Sequence, residues 1–375
     1  MASSNSQQSI AILDDYAGIA PQLFTHIENL KVDTFPETLD PKDPAQHDAL
    51  IERLKPYTII STMRERTPMP GSLIKSLPNL KLLLTTGVRN ASLDLFTCKE
   101  RSIIIAGTTG TRPAAYDTDG NPIHSTEPES SHPPPPPPPG YDSTTQHAWS
   151  LLLSLTSRIA YDNARLHTTP SSWQSGLTIP LGGRVVGILG LGKLGTTFAR
   201  IAHAFGMKVI AWSESLTQEK ADAAAAKAGI PTEAGGIKAV SKEDLFKLAD
   251  VVSIHYVLSD RSRGIVGAKE LGSMKKSALL VNTARGPLID ETALLKALSE
   301  GWIRGAALDV YWQEPLPEKS VWRTTEWGQE GRSEVVLSPH MGYVNGPTMR
   351  RWYEEQAENV GRWIRDEGLK NRIDS

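Results

Sequence analysis

A single cysteine, Cys98, stands in 375 residues, so neither an intramolecular disulfide nor a thiolate metal cluster can be built. Such usage favours a reducing compartment, and Cys98 itself reads as a buried small apolar residue. Net charge is equally scarce. At −2 it gives no electrostatic case for nucleic acid or an anionic membrane as partner. No stretch approaches the ~18 apolar residues of a membrane span. The N-terminal MASSNSQQS lacks the basic region and apolar core of a secretory signal. The expectation is a cytoplasmic protein without a metal centre, acting on a small neutral or anionic ligand.

What is present is an ordinary globular balance, 39% hydrophobic and 22% charged, in a chain longer than one core usually serves. Two domains follow. Short apolar runs recur with helical patterns between them: SIAILDDY (9–16), YTIIST (57–62), LKLLLTTG (80–87) and SIIIAGT (102–108). A second series comprises RVVGILG (184–190), MKVIAW (207–212), DVVSIHYV (250–257), SALLVNTA (277–284), GAALDV (305–310) and EVVLSPH (334–340). Continuous apolar strands alternating with helices predict two doubly wound parallel sheets, an α/β fold. A helix is expected over about Thr144 to Ala160. Another is expected from Gly346-Pro347, with Met349, Trp352, Tyr353, Val360, Trp363 and Ile364 on one face, returning to the N-terminal domain.

Between the two series lies Gly107 to Ser143, with seven consecutive prolines, Pro133 to Pro139. Prolines donate no backbone hydrogen bond, and such a tract forms an exposed polyproline II rod. It reads as a solvated insertion, with a proline-recognition domain as an alternative partner.

The strongest motif is Gly190-Leu191-Gly192-Lys193-Leu194-Gly195, which follows the strand RVVGIL and opens a helix. In that setting Gly190 permits the tight turn, Gly192 lets the backbone approach a pyrophosphate, and Gly195 allows close packing of helix on strand. The helix N-terminus then supplies unpaired N–H groups to the anion. The next strand ends in Ser213 and Glu214, where an acidic residue would accept from the adenine ribose of NAD. With Glu214 opposing a 2′-phosphate and no lysine or arginine before Lys220, the reading leans to NAD and leaves NADP open.

Arg285, Glu314 and His340 each come at or just beyond the carboxyl end of an expected strand, where open parallel sheets gather their ligands. Reducing a 2-oxo acid needs a cation for the carboxylate, a hydride donor, and an acid for the carbonyl oxygen. Arg285 offers the planar fork, His340 the proton donor, and Glu314 a carboxylate that can hydrogen-bond the imidazole.

The blocks GILGLGKLG, LVNTARGPLIDETALLKAL, GAALDVYWQEP and SPHMG together resemble the D-isomer-specific 2-hydroxyacid dehydrogenase family. The resemblance runs from about Pro56 to the last helix, apart from the proline insertion. It implies two Rossmann-like domains with the active site in the cleft between them, usually as a homodimer, and NAD(P)-dependent exchange between a 2-oxo and a 2-hydroxy acid. The expected division is residues 1–145 with 345–375 as substrate domain, carrying the insertion near 112–143, and 146–344 as dinucleotide-binding domain. The resemblance places the catalytic arginine, glutamate and histidine on Arg285, Glu314 and His340. The cofactor-side set is Gly190, Gly192, Lys193, Leu194, Gly195, Ser213, His255, Thr283 and Asp309, although Asp309 also suits turn geometry.

This chain departs from the family in three places. The segment Gly87-Val88-Arg89-Asn90 has arginine where a second glycine is usual, so Val88, Arg89 and Asn90 are expected at the substrate carboxylate, with Arg89 adding a cation or turning to solvent. Gln146 replaces a usual glutamate. Ser320 to Arg332, with Trp322 and Trp327, lengthens the loop before His340 and reads as an exposed insertion or a cover for the cleft. Two rivals share the fold. A formate dehydrogenase would have glutamine where Glu314 stands, and an NAD-sensing transcriptional corepressor would act by binding partners. Which 2-oxo acid is taken lies in loops that the sequence leaves open.

Overall fold

The computed structural model describes residues 7–110, 143–169, 171, 173–231 and 235–373. Pro133 to Pro139 lie outside them. The chain divides into two compact units, Met1–Pro135 with Asn345–Ser375, and Pro136–Val344.

The first unit holds β1 (Gln8–Leu13), β2 (Leu30–Phe35), β3 (Ile59–Thr62), β4 (Leu82–Thr85) and β5 (Ile104–Ala106), all parallel, in the order β2-β1-β3-β4-β5. Every residue of β3 and β4 is buried, as a sheet covered on both faces requires. The sequence pattern misses β2. At the sheet edge, LKVDTF is half-exposed and interrupted by Lys31 and Asp33, so it never forms an apolar run.

The helix Gly346–Ile364 belongs to this unit and is capped by Asn345, whose side chain accepts from the Thr348 amide at 3.0 Å. Met349, Trp352, Tyr353 and Val360 are buried as the aromatic stripe predicts, whereas Ile364 at its end is exposed. Three polar residues of the same helix, Glu355, Gln356 and Asn359, are buried as well. Glu355 accepts from the amides of Thr109 (2.6 Å) and Gly110 (3.0 Å), and Gln356 accepts from Ser61 Oγ at 2.6 Å. These bonds tie the loop after β5, and β3 through Ser61, to the helix.

The second unit holds β6 (Val185–Leu189), β7 (Lys208–Trp212), β8 (Ile237–Ala239), β9 (Val251–Ile254), β10 (Leu279–Asn282), β11 (Gly305–Leu308) and β12 (Glu334–Leu337). They form one parallel sheet in the order β12-β11-β10-β9-β6-β7-β8. The short edge strand β8 escapes the sequence pattern for the same reason as β2. The order reverses between β6 and β9, so the carboxyl ends of these two strands flank the crevice where doubly wound sheets bind nucleotides.

The expected helix from Thr144 is two helices, Ser143–Thr156 and Ile159–Thr168, because Arg158 takes a left-handed conformation with φ 58°. The first is packed against the sheet through Ala148, Trp149, Leu152 and Leu155, and Trp149 stacks on Phe198 with ring centres 4.6 Å apart. The long loop after β11 is anchored by one side chain: Trp322 is 1% exposed, stacks on Trp312 at 5.6 Å and donates from Nε1 to Glu291 at 2.9 Å, while most of the segment from Ser320 to Arg332 is exposed.

Candidate active site in the nucleotide-binding unit

Six loops at the carboxyl edge of the seven-stranded sheet carry the expected residues. Those after β6, β7 and β9 bear Gly190, Ser213 and His255; those after the neighbouring β10, β11 and β12 bear Arg285, Glu314 and His340.

Gly190 has φ +100°, and an added Cβ would stand 2.8 Å from the His255 carbonyl oxygen, so both conformation and space demand glycine. At Gly195 a Cβ would collide with the Gly190 carbonyl, which lets the helix Lys193–Ala204 close against the turn. Gly192 is the N-cap of that helix, receives no side-chain cap, and has no atom within 4 Å of where a Cβ would stand. Lys193 beside it is exposed and Leu194 half-buried. An open helix start on a glycine turn fits a dinucleotide pyrophosphate, which the amides of the first turn would hold.

His255 stands beside the same turn. Its Nε2 is 2.8 Å from Ser253 Oγ and its ring lies 5.1 Å from that of Phe198, while its backbone carbonyl abuts Gly190. Burial pushes its pKa down to about 4, so the imidazole is neutral near pH 7 and bonded within the fold.

After β10, Asn282 is fully buried and braces the turn: its Nδ2 donates to the Arg285 carbonyl (3.0 Å) and its Oδ1 accepts from the Ala284 amide (3.0 Å). Thr283 is buried beside it, and the half-buried Arg285 donates from Nη1 to the Ala284 carbonyl at 2.7 Å. An added Cβ on Gly286 would collide with the Tyr311 carbonyl group, so the Arg285 turn lies directly on the Tyr311–Glu314 turn.

In that second turn Glu314 Oε1 accepts from the Tyr311 amide at 2.7 Å, and Oε2 lies 2.6 Å from His340 Nδ1. The Glu314-Pro315 bond is cis. Tyr311 is buried and donates to the Ser338 carbonyl at 3.1 Å; burial, and then the Asp309 carboxylate, push its phenol pKa up, so it remains a neutral donor. His340 itself has φ 56°, and its Nε2 has no hydrogen-bond partner among the described residues.

Asp309 serves the turn rather than the solvent. It is 1% exposed; Oδ1 accepts from the Met341 amide (2.8 Å) and Oδ2 from the Gly342 amide (3.0 Å), fixing the two residues after His340. Oδ1 also lies 3.0 Å from His147 Nε2, which is 2.9 Å from Ser338 Oγ. Burial pushes the Asp309 carboxyl up, but the bonds from His147 and the Met341 amide outweigh it and the net displacement is downward. His147, Asn282 and Ser338 were not singled out from the sequence. Only the TTQHAW context of His147 marked a helix start, and nothing in it points toward an aspartate so far along the chain.

In the first unit, Gly87 has φ +89°, with the Arg64 guanidinium packed where a Cβ would stand. Val88 and Arg89 are exposed, and Arg89 has no partner among the described residues. Asn90 is turned into its own loop. It is 7% exposed, with Nδ2 donating to the Arg64 carbonyl (2.5 Å) and Thr85 Oγ1 (2.9 Å) and Oδ1 accepting from the Ser92 amide (2.9 Å) and hydroxyl (2.6 Å). Those four bonds use its capacity and make it a brace for the loop.

The sheet order, the glycine turn and the Glu314–His340 pair define a nucleotide-dependent oxidoreductase. Residues 149–342 match the family model for the D-isomer specific 2-hydroxyacid dehydrogenase, NAD binding domain. The chain is 28% identical over 337 residues to glyoxylate reductase of Korarchaeum cryptofilum, covering 88% of this chain and 86% of that protein. It is 36% identical over 229 residues to glyoxylate reductase of Aeropyrum pernix, covering 58% and 62%. Among solved structures, phosphoglycerate oxidoreductase from Vibrio cholerae o395 superposes with a TM-score of 0.76 at 30% identity, over 96% of this chain and 99% of that one. The chain belongs to the D-isomer-specific 2-hydroxyacid dehydrogenase family, NAD(P)-dependent enzymes that interconvert 2-oxo and 2-hydroxy acids. No helix among the described residues is long and apolar enough to cross a membrane.

Proposed function

We propose that this chain reduces a 2-oxo acid with NADH, that His340 is the proton donor, that Arg285 binds the carboxylate, and that Glu314 orients His340. The observation that supports it most is the 2.6 Å contact of His340 Nδ1 with Glu314 Oε2, which leaves Nε2 without a partner among the described residues. A nicotinamide dinucleotide held at the Gly190–Gly195 turn would supply the hydride for the carbonyl carbon. His340 Nε2–H gives its proton to the carbonyl oxygen, forming the O–H bond of the hydroxy acid, and the imidazole is left neutral with Nδ1–H on Glu314. Arg285 faces a carboxylate that carries its charge throughout, so its part is positioning and polarisation. The loop Gly87–Asn90 keeps the role that the resemblance gives it, with backbone amides toward the carboxylate. Asp309 holds the His340 loop, and Gly190, Gly192, Lys193, Leu194 and Gly195 hold the pyrophosphate.

A homodimer is part of the same reading. None of the residues of the helix Ile159–Thr168 is buried, and Ile159, Leu166, Trp173 and Leu177 form an exposed apolar series, with Leu177 86% exposed. Surfaces of this kind mark association sites. Cytoplasmic location is supported by the lone buried thiol. The corepressor reading rested on the proline tract, which lies outside the described residues.

The test is NADH oxidation with a panel of 2-oxo acids, including glyoxylate, hydroxypyruvate, pyruvate and bulkier homologues. Turnover with at least one that is lost in His340→Gln is expected. Tight NADH binding without turnover of any would favour a sensor.

A further inference from the structure

The sequence shows no cation close to Glu214, but the fold supplies one. Arg261, in the loop after β9, places Nη1 3.9 Å from Glu214 Oε2, in the loop after β7. Both side chains are largely exposed, and neither has another partner among the described residues. Their backbones are nevertheless held. The Glu214 amide donates to the Tyr256 hydroxyl at 3.4 Å, and the Tyr256 ring stacks on Trp212 with centres 5.9 Å apart. Beside Arg261, the 3% exposed Ser262 accepts from the Ser259 amide (2.7 Å) and donates to the Val257 carbonyl (2.7 Å), which fixes the turn. Lys220, the cation visible in the sequence, is engaged instead: its Nζ donates to the Ser215 carbonyl at 2.8 Å.

Glu214 stands where an acidic residue ordinarily refuses a 2′-phosphate; we propose that Arg261, beside it, is a latent phosphate-binding cation that Glu214 masks, so that the carboxylate alone separates this site from one that takes NADPH. The inference rests on the reading of this unit as the dinucleotide site. In doubly wound sheets the loop after the second strand meets the adenine ribose, an acidic residue there accepting from the 2′-hydroxyl and an arginine accommodating a 2′-phosphate. Here both chemistries stand at one place. With the pair intact the local charge is balanced and the carboxylate opposes the phosphate dianion. Without the carboxylate, Arg261 presents an uncompensated guanidinium fork, the group best matched to phosphate oxygens. NADPH preference would then come from removing one charge, with no cation added.

The experiment measures kcat/KM for reduction and, separately, dissociation constants for NADH and NADPH by nucleotide fluorescence. It compares wild type, Glu214→Gln, Glu214→Ala, Arg261→Ala and the Glu214→Gln/Arg261→Ala double variant. The expected result is a wild-type preference for NADH, and a rise of tenfold or more in the NADPH to NADH affinity ratio in both Glu214 variants. Most of that rise should vanish in the double variant and in raised salt. An unmoved ratio in the Glu214 variants, or an undiminished rise without Arg261, overturns the inference while NADH binding and turnover uphold the function. Failure of wild type to bind either nucleotide overturns both.

Discussion

His340 Nδ1 and Glu314 Oε2 stand 2.6 Å apart at the ends of two loops that leave neighbouring parallel strands, and the second oxygen of Glu314 is fixed by the Tyr311 amide. The carboxylate is therefore a held acceptor rather than a loop charge. His340→Gln should lower kcat by ~10²–10⁴-fold, the usual contribution of a positioned acid, with NADH affinity little changed. Glu314→Gln keeps an acceptor for Tyr311 but turns an amide N–H toward Nδ1, so a loss of roughly 10–100-fold in kcat is expected by the same reasoning. Wild-type turnover in Glu314→Gln, with normal folding, would remove Glu314 from the assignment.

Asp309 and His147 couple the helix Ser143–Thr156 to the backbone after His340. His147→Asn should lower kcat while leaving the NADH dissociation constant unchanged, because it acts through Asp309 on the placement of His340. A variant that lost only thermal stability would reduce His147 to a structural residue.

The pH dependence of the Asp309 contribution has a definite sign. The folded carboxyl lies below its ordinary 3.8, so the stabilisation is complete above that value and is lost as pH falls through the folded value. Asp309→Asn should destabilise by about 1–3 kcal/mol at neutral pH, the cost of an unsatisfied buried group. The difference in Tm between wild type and variant should narrow as pH drops below 3.8. A gap constant with pH, followed by calorimetry, would show that the charge contributes nothing.

His255 works on a higher window. An imidazole lowered from 6.5 to about 4 in the fold takes up a proton on unfolding, so its contribution is fully present above pH 6.5 and declines as pH falls to about 4. Replacement by Gln removes the titration. The Tm of wild type should therefore fall more steeply than that of His255→Gln across this interval, and parallel curves would contradict the assignment.

Cys98 is fully buried, and burial, followed by the Asp94 carboxylate, pushes its thiol up to about 11. Thiolate is the reactive form. A thiol reagent at neutral pH should label the native protein only on the timescale of unfolding, and label it fully in denaturant. Rapid native labelling would mean that Cys98 is exposed by local opening.

The sequence by itself determined the sheets and the chemistry-bearing motifs. A central strand such as GAAL is buried on both faces and reads as an unbroken apolar run, and a glycine turn between strand and helix has little room for other residues, so both leave marks in one dimension. The placement of Arg285, Glu314 and His340 at one edge was legible because parallel strands deliver their carboxyl ends together, which makes position after a strand a statement about space. Edge strands β2 and β8 were not, since a half-exposed strand tolerates lysine and aspartate. Tertiary structure alone decided what depends on distance between loops far apart in the chain: the bond of His147 to Asp309 and the arrival of Arg261 beside Glu214. Polar contacts of this kind are set by where the sheet brings its loops, and a residue's neighbours in sequence carry no record of them.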